Sequence, residues 1–266
     1  MHNSSDTSPF PDSNQCIIPS RKTGFILRVI KITWLGLGLS IATFLVFPII
    51  TLSSLITSTG NFAFNLSRLW AWFLLTITRV RVTIRGKKKI AKATSYVIIA
   101  NHQSHFDGPA LATALGIQFR WIAKKELLKI PLFGQSLYAA RNIFIDRSNR
   151  VKAIESLQAG MDRIPKGVSV MCFAEGTRSH RAKINGFKKG GFVAALKKGL
   201  PILPVTVNGS AKILPRDSIV FRSGRIQIVV DDPIETKGLN LEDVDALMSK
   251  TRDTIISNYL PDYPEK

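Results

Sequence analysis

From Ile32 to Ser67 the chain carries no charged residue, and Ile32 to Ile50 is almost wholly apolar. That run is close to the roughly 20 residues that cross a bilayer as helix. A core helix of a soluble protein usually keeps charge on one face, so this stretch is expected to meet lipid. A cleaved signal peptide fits less well, because the apolar run starts late, continues too long and lacks a small-x-small site just after it. Arg21, Lys22, Arg28 and Lys31 precede the stretch, and Arg79, Arg81, Arg85 and Lys87 to Lys89 follow a second apolar segment, Phe62 to Ile77. Both flanks carry the mark of the cytoplasmic side. Pro48 interrupts the first segment and a polar patch, Thr57 to Asn61, separates the two. The expectation is a membrane-embedded helical hairpin with both ends on one side; whether it spans or dips into one leaflet is left open.

The hairpin divides the chain into three parts. Residues 1–20, rich in Ser, Asn, Asp and Pro, are expected to be a disordered tail. Residues 21–79 form the membrane-associated two-helix segment, and residues 80–266 a separate folded unit. The 37 Lys and Arg against 18 Asp and Glu leave a net charge of +19, which draws a molecule to polyanionic surfaces. Nucleic acid and anionic lipid both qualify. No RNA- or DNA-reading motif accompanies the charge, and the long uncharged segment points instead to an anionic membrane, with no nucleic-acid partner. The two cysteines, Cys16 and Cys172, give neither metal-ligand spacing nor a disulfide framework.

Beyond Arg79 short apolar runs alternate with basic and glycine-rich turns, the pattern of an α/β unit with a mixed sheet flanked by helices. Strands are expected at Val80 to Ile84, Tyr96 to Ala100, Arg120 to Ala123, Ile143 to Ile145, Ser169 to Phe173, Ile202 to Val207 and Arg225 to Val230. Helices are expected at Pro109 to Leu115, Gly134 to Ala140, Arg150 to Ile164, Gly191 to Lys198 and Leu241 to Tyr259.

The strand ending at Ala100 runs into Asn101-His102-Gln103-Ser104-His105-Phe106-Asp107. Polar groups at a strand end are a common site location in α/β folds. His102 can take a proton from a hydroxyl, and a carboxylate can hold its tautomer and stabilise the imidazolium. Five residues along one helix would set His102 and Asp107 about 140° apart. The pair therefore needs a turn between them, with Asp107 placed to cap the helix that follows. Taken alone, the spacing fits equally well a plain N-cap behind a polar strand end. His105 completes an H-x-x-H with His102, but no further Cys or His cluster accompanies it, so a packing or solvated role is preferred to a metal site.

Two further strand ends bear charge. Phe173-Ala174-Glu175-Gly176-Thr177-Arg178 offers a tight turn whose amides, Thr177 and Arg178 could converge on an anion, and Phe144-Ile145-Asp146-Arg147 adds a guanidinium that could reach the same phosphate. Structural ion pairs would explain either motif as well. Lys124-Lys125 and Lys188-Lys189 add positive charge near these loops. Leu200-Pro201-Ile202-Leu203-Pro204-Val205 reads as a core strand.

In order, Asn101-His102-x4-Asp107, Phe144-Ile145-Asp146-Arg147, Phe173-x-Glu175-Gly176-Thr177-Arg178 and Leu200 to Val205 resemble the four motif blocks of the glycerolipid acyltransferase family, which includes the bacterial 1-acylglycerol-3-phosphate acyltransferases. The likeness covers about Val80 to Pro233. It implies that His102 is the general base toward an acceptor hydroxyl, that Asp107 supports it, and that no covalent acyl-enzyme forms. It implies also that Arg147, Glu175, Gly176, Thr177 and Arg178 shape the site for the phosphate of a lysophospholipid acceptor. The acyl donor would be acyl-CoA or acyl carrier protein, a co-substrate with no resident cofactor, and Lys124 is a candidate donor to the oxyanion. Lysophosphatidic acid is the expected acceptor, with a lyso-ornithine lipid or lysophosphatidylcholine as alternatives. The catalytic unit is expected at the cytoplasmic face of a membrane. Two positions depart from the family pattern. Ala174 replaces a usual proline, and Arg141 stands where glycine is usual, from where it is expected to bring charge and bulk near the acceptor site. A lipid hydrolase is disfavoured by the lack of a Gly-x-Ser-x-Gly elbow, and a non-catalytic lipid-binding role by the presence of both His102 and Asp107.

Overall fold

A computed structural model describes residues 25–179 and 183–264. The expected tail over residues 1–20, the leading charges Arg21 and Lys22, and Cys16 lie outside the described residues. Seven strands form one sheet in the order β1-β7-β6-β2-β5-β3-β4. They are β1 (Val80–Arg85), β2 (Val97–Ala100), β3 (Phe119–Lys124), β4 (Ile143–Ile145), β5 (Ser169–Phe173), β6 (Ile202–Asn208) and β7 (Gly224–Val230). Every pairing is parallel except that of β6 with β7. The sheet is therefore mixed, and β2 to β6 all point their C-terminal ends toward one edge.

The side-chain period of two sorts each strand onto two covers. Ile98, Ala100, Met171, Leu203 and Val205 face one layer, packing with Phe64, Ala71 and Leu74 of α2 (Asn61–Ile77) and with Ala110 and Leu111 of α3 (Asp107–Ala114). Val97, Ile99, Val170 and Ile202 face the other layer. There Leu157 of α5 (Arg150–Asp162), Phe192 of α6 (Gly190–Lys198) and Leu247 and Ile255 of α8 (Val244–Ser257) cover them. All four residues of β2 and all seven of β6 are buried, as expected of central strands covered on both faces. β1, at the sheet margin, alternates instead.

The uncharged N-terminal stretch forms most of α1 (Phe25–Ser53) and the beginning of α2. The segment Ile32–Ser53 is long and apolar enough to cross a membrane, and only 17% of its most apolar window is buried against the rest of the chain. Trp34, Leu37, Ile41, Phe44, Leu45 and Ile49 stand exposed along α1. Its other side seats Phe47 and Ile50 against Ala63 of α2 and Ala139 and Ala140, at the end of α4 (Phe133–Ala139). The two helices thus divide the work that their similar composition suggested they would share: α2 is largely a cover of the sheet, and α1 presents the apolar face.

The loop between them is fixed by a buried cation. Arg120, in β3, is fully buried. Its Nη2 donates to the Thr59 carbonyl at 2.8 Å and to Asn61 Oδ1 at 2.6 Å, and its Nη1 donates to the Phe119 carbonyl at 3.0 Å. Its guanidinium also lies 5.6 Å from the Phe64 ring centre. Burial pulls its pKa down to about 10, still far above neutrality. Gly60, in the same loop, has φ +71°, and a Cβ there would stand 2.9 Å from the Ala140 backbone. Glycine satisfies both constraints.

Arg141 is itself left-handed, with φ +58°, which accounts physically for a glycine preference at that position. Contrary to expectation, its side chain does not reach the basic loops that follow β4 and β5. Arg141 precedes β4, at the end opposite Arg147, and its Nε donates to the Ser58 carbonyl at 3.2 Å. The charge is used to fasten the loop between α1 and α2.

Candidate active site

β2 leaves the sheet through Asn101, whose fully buried side chain continues the pairing with β6. Its Nδ2 donates to the Val207 carbonyl at 2.9 Å and its Oδ1 accepts from the Val207 amide at 2.7 Å. The chain then turns so that Asp107, with no exposed surface, faces back along it. One oxygen, Oδ2, accepts from His102 Nδ1 at 2.8 Å, from the Gln103 amide at 2.6 Å and from the Ser104 amide at 2.9 Å. Asp107 is thus the first residue of α3 and not its N-cap: its carboxylate gathers the amides of the preceding turn and leaves the helix end to others. An ionised carboxylate can only accept, so Nδ1 carries the proton and Nε2 presents a lone pair. The His102 side chain keeps 21% of its surface exposed, enough to meet a substrate.

His102 is held by its backbone as well. Its N–H donates to Glu175 Oε1 at 2.7 Å, and its carbonyl accepts from the Ser179 amide at 2.8 Å and from Ser179 Oγ at 3.0 Å. The imidazole stacks on Phe173, the last residue of β5, with 3.9 Å between ring centres and 11° between planes; Phe173 stacks in turn on Trp121 at 5.6 Å. These contacts leave the ring little freedom to turn away from Asp107. Gln103 donates to the Tyr259 hydroxyl, so the segment after α8 braces the turn. Burial raises the pKa of that phenol, with the Gln103 contact working the other way.

The charged loops expected to form a site do share an edge, since β3, β4 and β5 run parallel with β2, but their side chains play different parts. Glu175 is almost fully buried and has both oxygens engaged, Oε1 with His102 and Oε2 with the Asn185 amide at 2.8 Å. Desolvation raises its pKa, with the two amide donors and then Ser179 pulling it back. Glu175 therefore ties loops together, with both of its oxygens taken by backbone donors. Gly176 makes the turn with φ +72°, and a Cβ there would meet the Lys188 side chain at 2.8 Å. Arg147 Nη1 donates to the Gly176 carbonyl at 2.9 Å, and Arg178 Nη1 to the Arg216 carbonyl at 3.1 Å. Thr177 is exposed. Lys124 ends β3 with its ammonium 3.4 Å from Glu126 and about half exposed. Asp146 is held down to about 2, chiefly by hydrogen bonds from Ser148 and then by Lys125.

His105 points to solvent, and partial desolvation together with the charge of Arg178 lowers its pKa. Cys172 is a free thiol whose pKa burial pushes up to about 12, with Arg147 opposing. Sequence reasoning gave Ser179, at the end of the Phe173 to Ser179 cluster, no role, and missed Tyr259 and Arg216. Ser179 stood next to a motif and could have been weighed, whereas Tyr259 and Arg216 reach the site only through the fold.

A family model described as Acyltransferase matches residues 81–208. An uncharacterised acyltransferase of Schizosaccharomyces pombe is 35% identical over 188 residues, which cover 70% of this chain and 67% of the relative. The 1-acyl-sn-glycerol-3-phosphate acyltransferase alpha of Homo sapiens is 32% identical over 179 residues, covering 67% of this chain and 63% of the human protein. The alignment thus spans a little under two thirds of that relative's length. The crystal structure of the 1-acyl-sn-glycerophosphate (LPA) acyltransferase PlsC from Thermotoga maritima superposes with a TM-score of 0.74, over 86% of this chain and 93% of that one, at 23% identity. That likeness concerns the fold.

Proposed function

The chain belongs to the acyltransferase family, and on that premise we propose that it transfers a fatty acyl group from a thioester to the free hydroxyl of a lysophospholipid, with 1-acyl-sn-glycerol 3-phosphate as acceptor and phosphatidic acid as product. The observation that carries the reading is the His102 to Asp107 contact of 2.8 Å, with Nε2 left as the free basic nitrogen at the edge where Arg147 and Arg178 emerge. The relatives' names support the choice of acceptor.

In this reading the acceptor's phosphate lies against the basic loops and its hydroxyl donates to Nε2. His102 takes the proton as the oxygen attacks the thioester carbonyl, and Asp107 stabilises the imidazolium. The tetrahedral oxyanion needs positioned donors, a contribution usually worth about 3–4 kcal/mol; Lys124 and backbone amides of the same edge are the candidates. Collapse breaks the carbon–sulfur bond, the thiolate takes the proton from Nε2, and His102 returns to its starting state. Products are the acylated lipid and a free thiol, on acyl-CoA or acyl carrier protein, and no cofactor is consumed. The net charge of +19 and the apolar α1 face suit an anionic membrane, and the basic flanks suit its cytoplasmic side.

The test is an acceptor and donor panel with membranes containing the protein: lysophosphatidic acid, lysophosphatidylcholine and a lyso-ornithine lipid, each with labelled acyl-CoA or acyl carrier protein. Labelled phosphatidic acid as the dominant product is expected. Turnover of the other acceptors alone would move the headgroup assignment, and no transfer to any would overturn the reading. Protease protection of the C-terminal unit in sealed inside-in vesicles would test its side of the membrane.

A further inference from the structure

Arg216 lies outside every motif in the sequence, yet the fold brings it to the catalytic turn. β6 runs parallel to β2 and ends at the same edge. After it come the short helix α7 (Ser210–Ile213) and Leu214-Pro215-Arg216. This segment is docked on the turn that carries His102, because Ser104 Oγ donates to the Leu214 carbonyl at 2.9 Å. Arg216 and Arg178 then make reciprocal contacts. Arg178 Nη1 donates to the Arg216 carbonyl at 3.1 Å, and Arg216 Nη1 donates to the Arg178 carbonyl. Arg178 is followed by Ser179, which grips the His102 carbonyl. Two arginines, one from each side of the turn that carries His102, are therefore tied each to the other's backbone.

Like charges held on neighbouring segments disfavour one another. Each arginine spends one of its five N–H donors on the other's carbonyl, and the Arg216 side chain remains 31% exposed. Its Nε is 4.0 Å from Asp217, whose carboxylate is 77% exposed and so neutralises the pair weakly. A dianion with three terminal oxygens would turn the repulsion into a pair of charge-assisted contacts.

We infer that Arg216 is a second guanidinium of the acceptor site, closing with Arg178 on the phosphate monoester of the lysolipid, and that it helps decide which headgroup is accepted. The inference rests on the function proposed above and names a residue for it. A phosphodiester headgroup offers one charge and two free oxygens in place of two charges and three, so it satisfies such a pair less well.

The test compares the wild type with Arg216→Gln and Arg216→Lys, measuring initial rates against lysophosphatidic acid at saturating acyl-CoA and the reverse. Arg216→Gln should raise the KM for lysophosphatidic acid about tenfold, the loss of one charged hydrogen bond, with kcat within about twofold and the KM for acyl-CoA unmoved. Inhibition by glycerol 3-phosphate should weaken by a similar factor. Arg216→Lys keeps the charge without the planar fork and should recover part of the loss, which also serves if the glutamine variant folds poorly. An unchanged acceptor KM, a loss confined to kcat, or equal rises for both substrates would overturn the inference and leave the proposed function standing. A wild type silent toward lysophosphatidic acid would overturn the parent reading, and this one with it.

Discussion

At the scale of single residues, Asp107 shows how much one buried oxygen can organise. It holds the turn by two backbone amides and the imidazole by a third donor, so the same carboxylate sets both the path of the chain and the proton on Nδ1. The strand end and the five-residue gap left the pairing of His102 with Asp107 level with a plain N-cap, and the family resemblance is what favoured it; the turn that the pairing requires is the one the chain makes. Glu175 was legible as a motif member, but its partners were not: a carboxylate beside Thr and Arg in sequence says nothing of two amides arriving from residues 102 and 185. Arg141 teaches the converse. Its position invites a place in the acceptor site, but a left-handed backbone and the Ser58 carbonyl direct it to the loop between the first two helices. Arg141→Gly should therefore leave the ratio of rates among lysophospholipid acceptors unchanged. Stability should shift by less than about 1 kcal/mol, since relief of the left-handed backbone opposes glycine's greater entropy loss. A change in acceptor preference in a side-by-side assay would contradict that placement.

At the scale of elements, all seven strands were readable from their short apolar runs between turns, because central strands covered on both faces must be apolar throughout. The division between α1 and α2 was not readable. Both are apolar enough to be lipid-facing, and only the docking of Phe64, Ala71 and Leu74 on the sheet separates a cover helix from an exposed one. The device that fixes their mutual loop, Arg120, was hidden inside a strand, where a lone arginine reads as a solvent-facing position. Arg120→Met would leave the Thr59 carbonyl and Asn61 Oδ1 without their donor. Chemical denaturation should show a loss of about 1–3 kcal/mol, with the catalytic turn, which follows β2 two strands away from β3 in the sheet, still formed. Unchanged stability would mean that the loop is held by Gly60 and Arg141 without it.

At the scale of the whole molecule, the proposed attachment to an anionic membrane would draw on both the basic charge and the apolar helix face, and the two can be separated experimentally. Charge attraction to anionic lipid is screened within about a Debye length, roughly 3 Å at 1 M salt, whereas burial of Trp34, Leu37, Phe44 and Leu45 in lipid is not. Washing membranes with 1 M salt should leave the protein in the pellet and detergent should release it; release by salt alone would mean that α1 does not enter the bilayer. The composition made both forces visible, but the sequence could not show that the α1 face stands clear of the folded unit. The proposed transfer turns, finally, on His102 acting as the base that the Asp107 contact prepares. Its most direct measurement is steady-state acyl transfer to lysophosphatidic acid by wild type, His102→Ala and Asp107→Asn in the same membranes. General-base removal should lower kcat about 10²–10⁴-fold in His102→Ala, with a substantial loss in Asp107→Asn as the tautomer is freed, and with thermal melts confirming that both remain folded. Near wild-type transfer by folded His102→Ala would contradict the account.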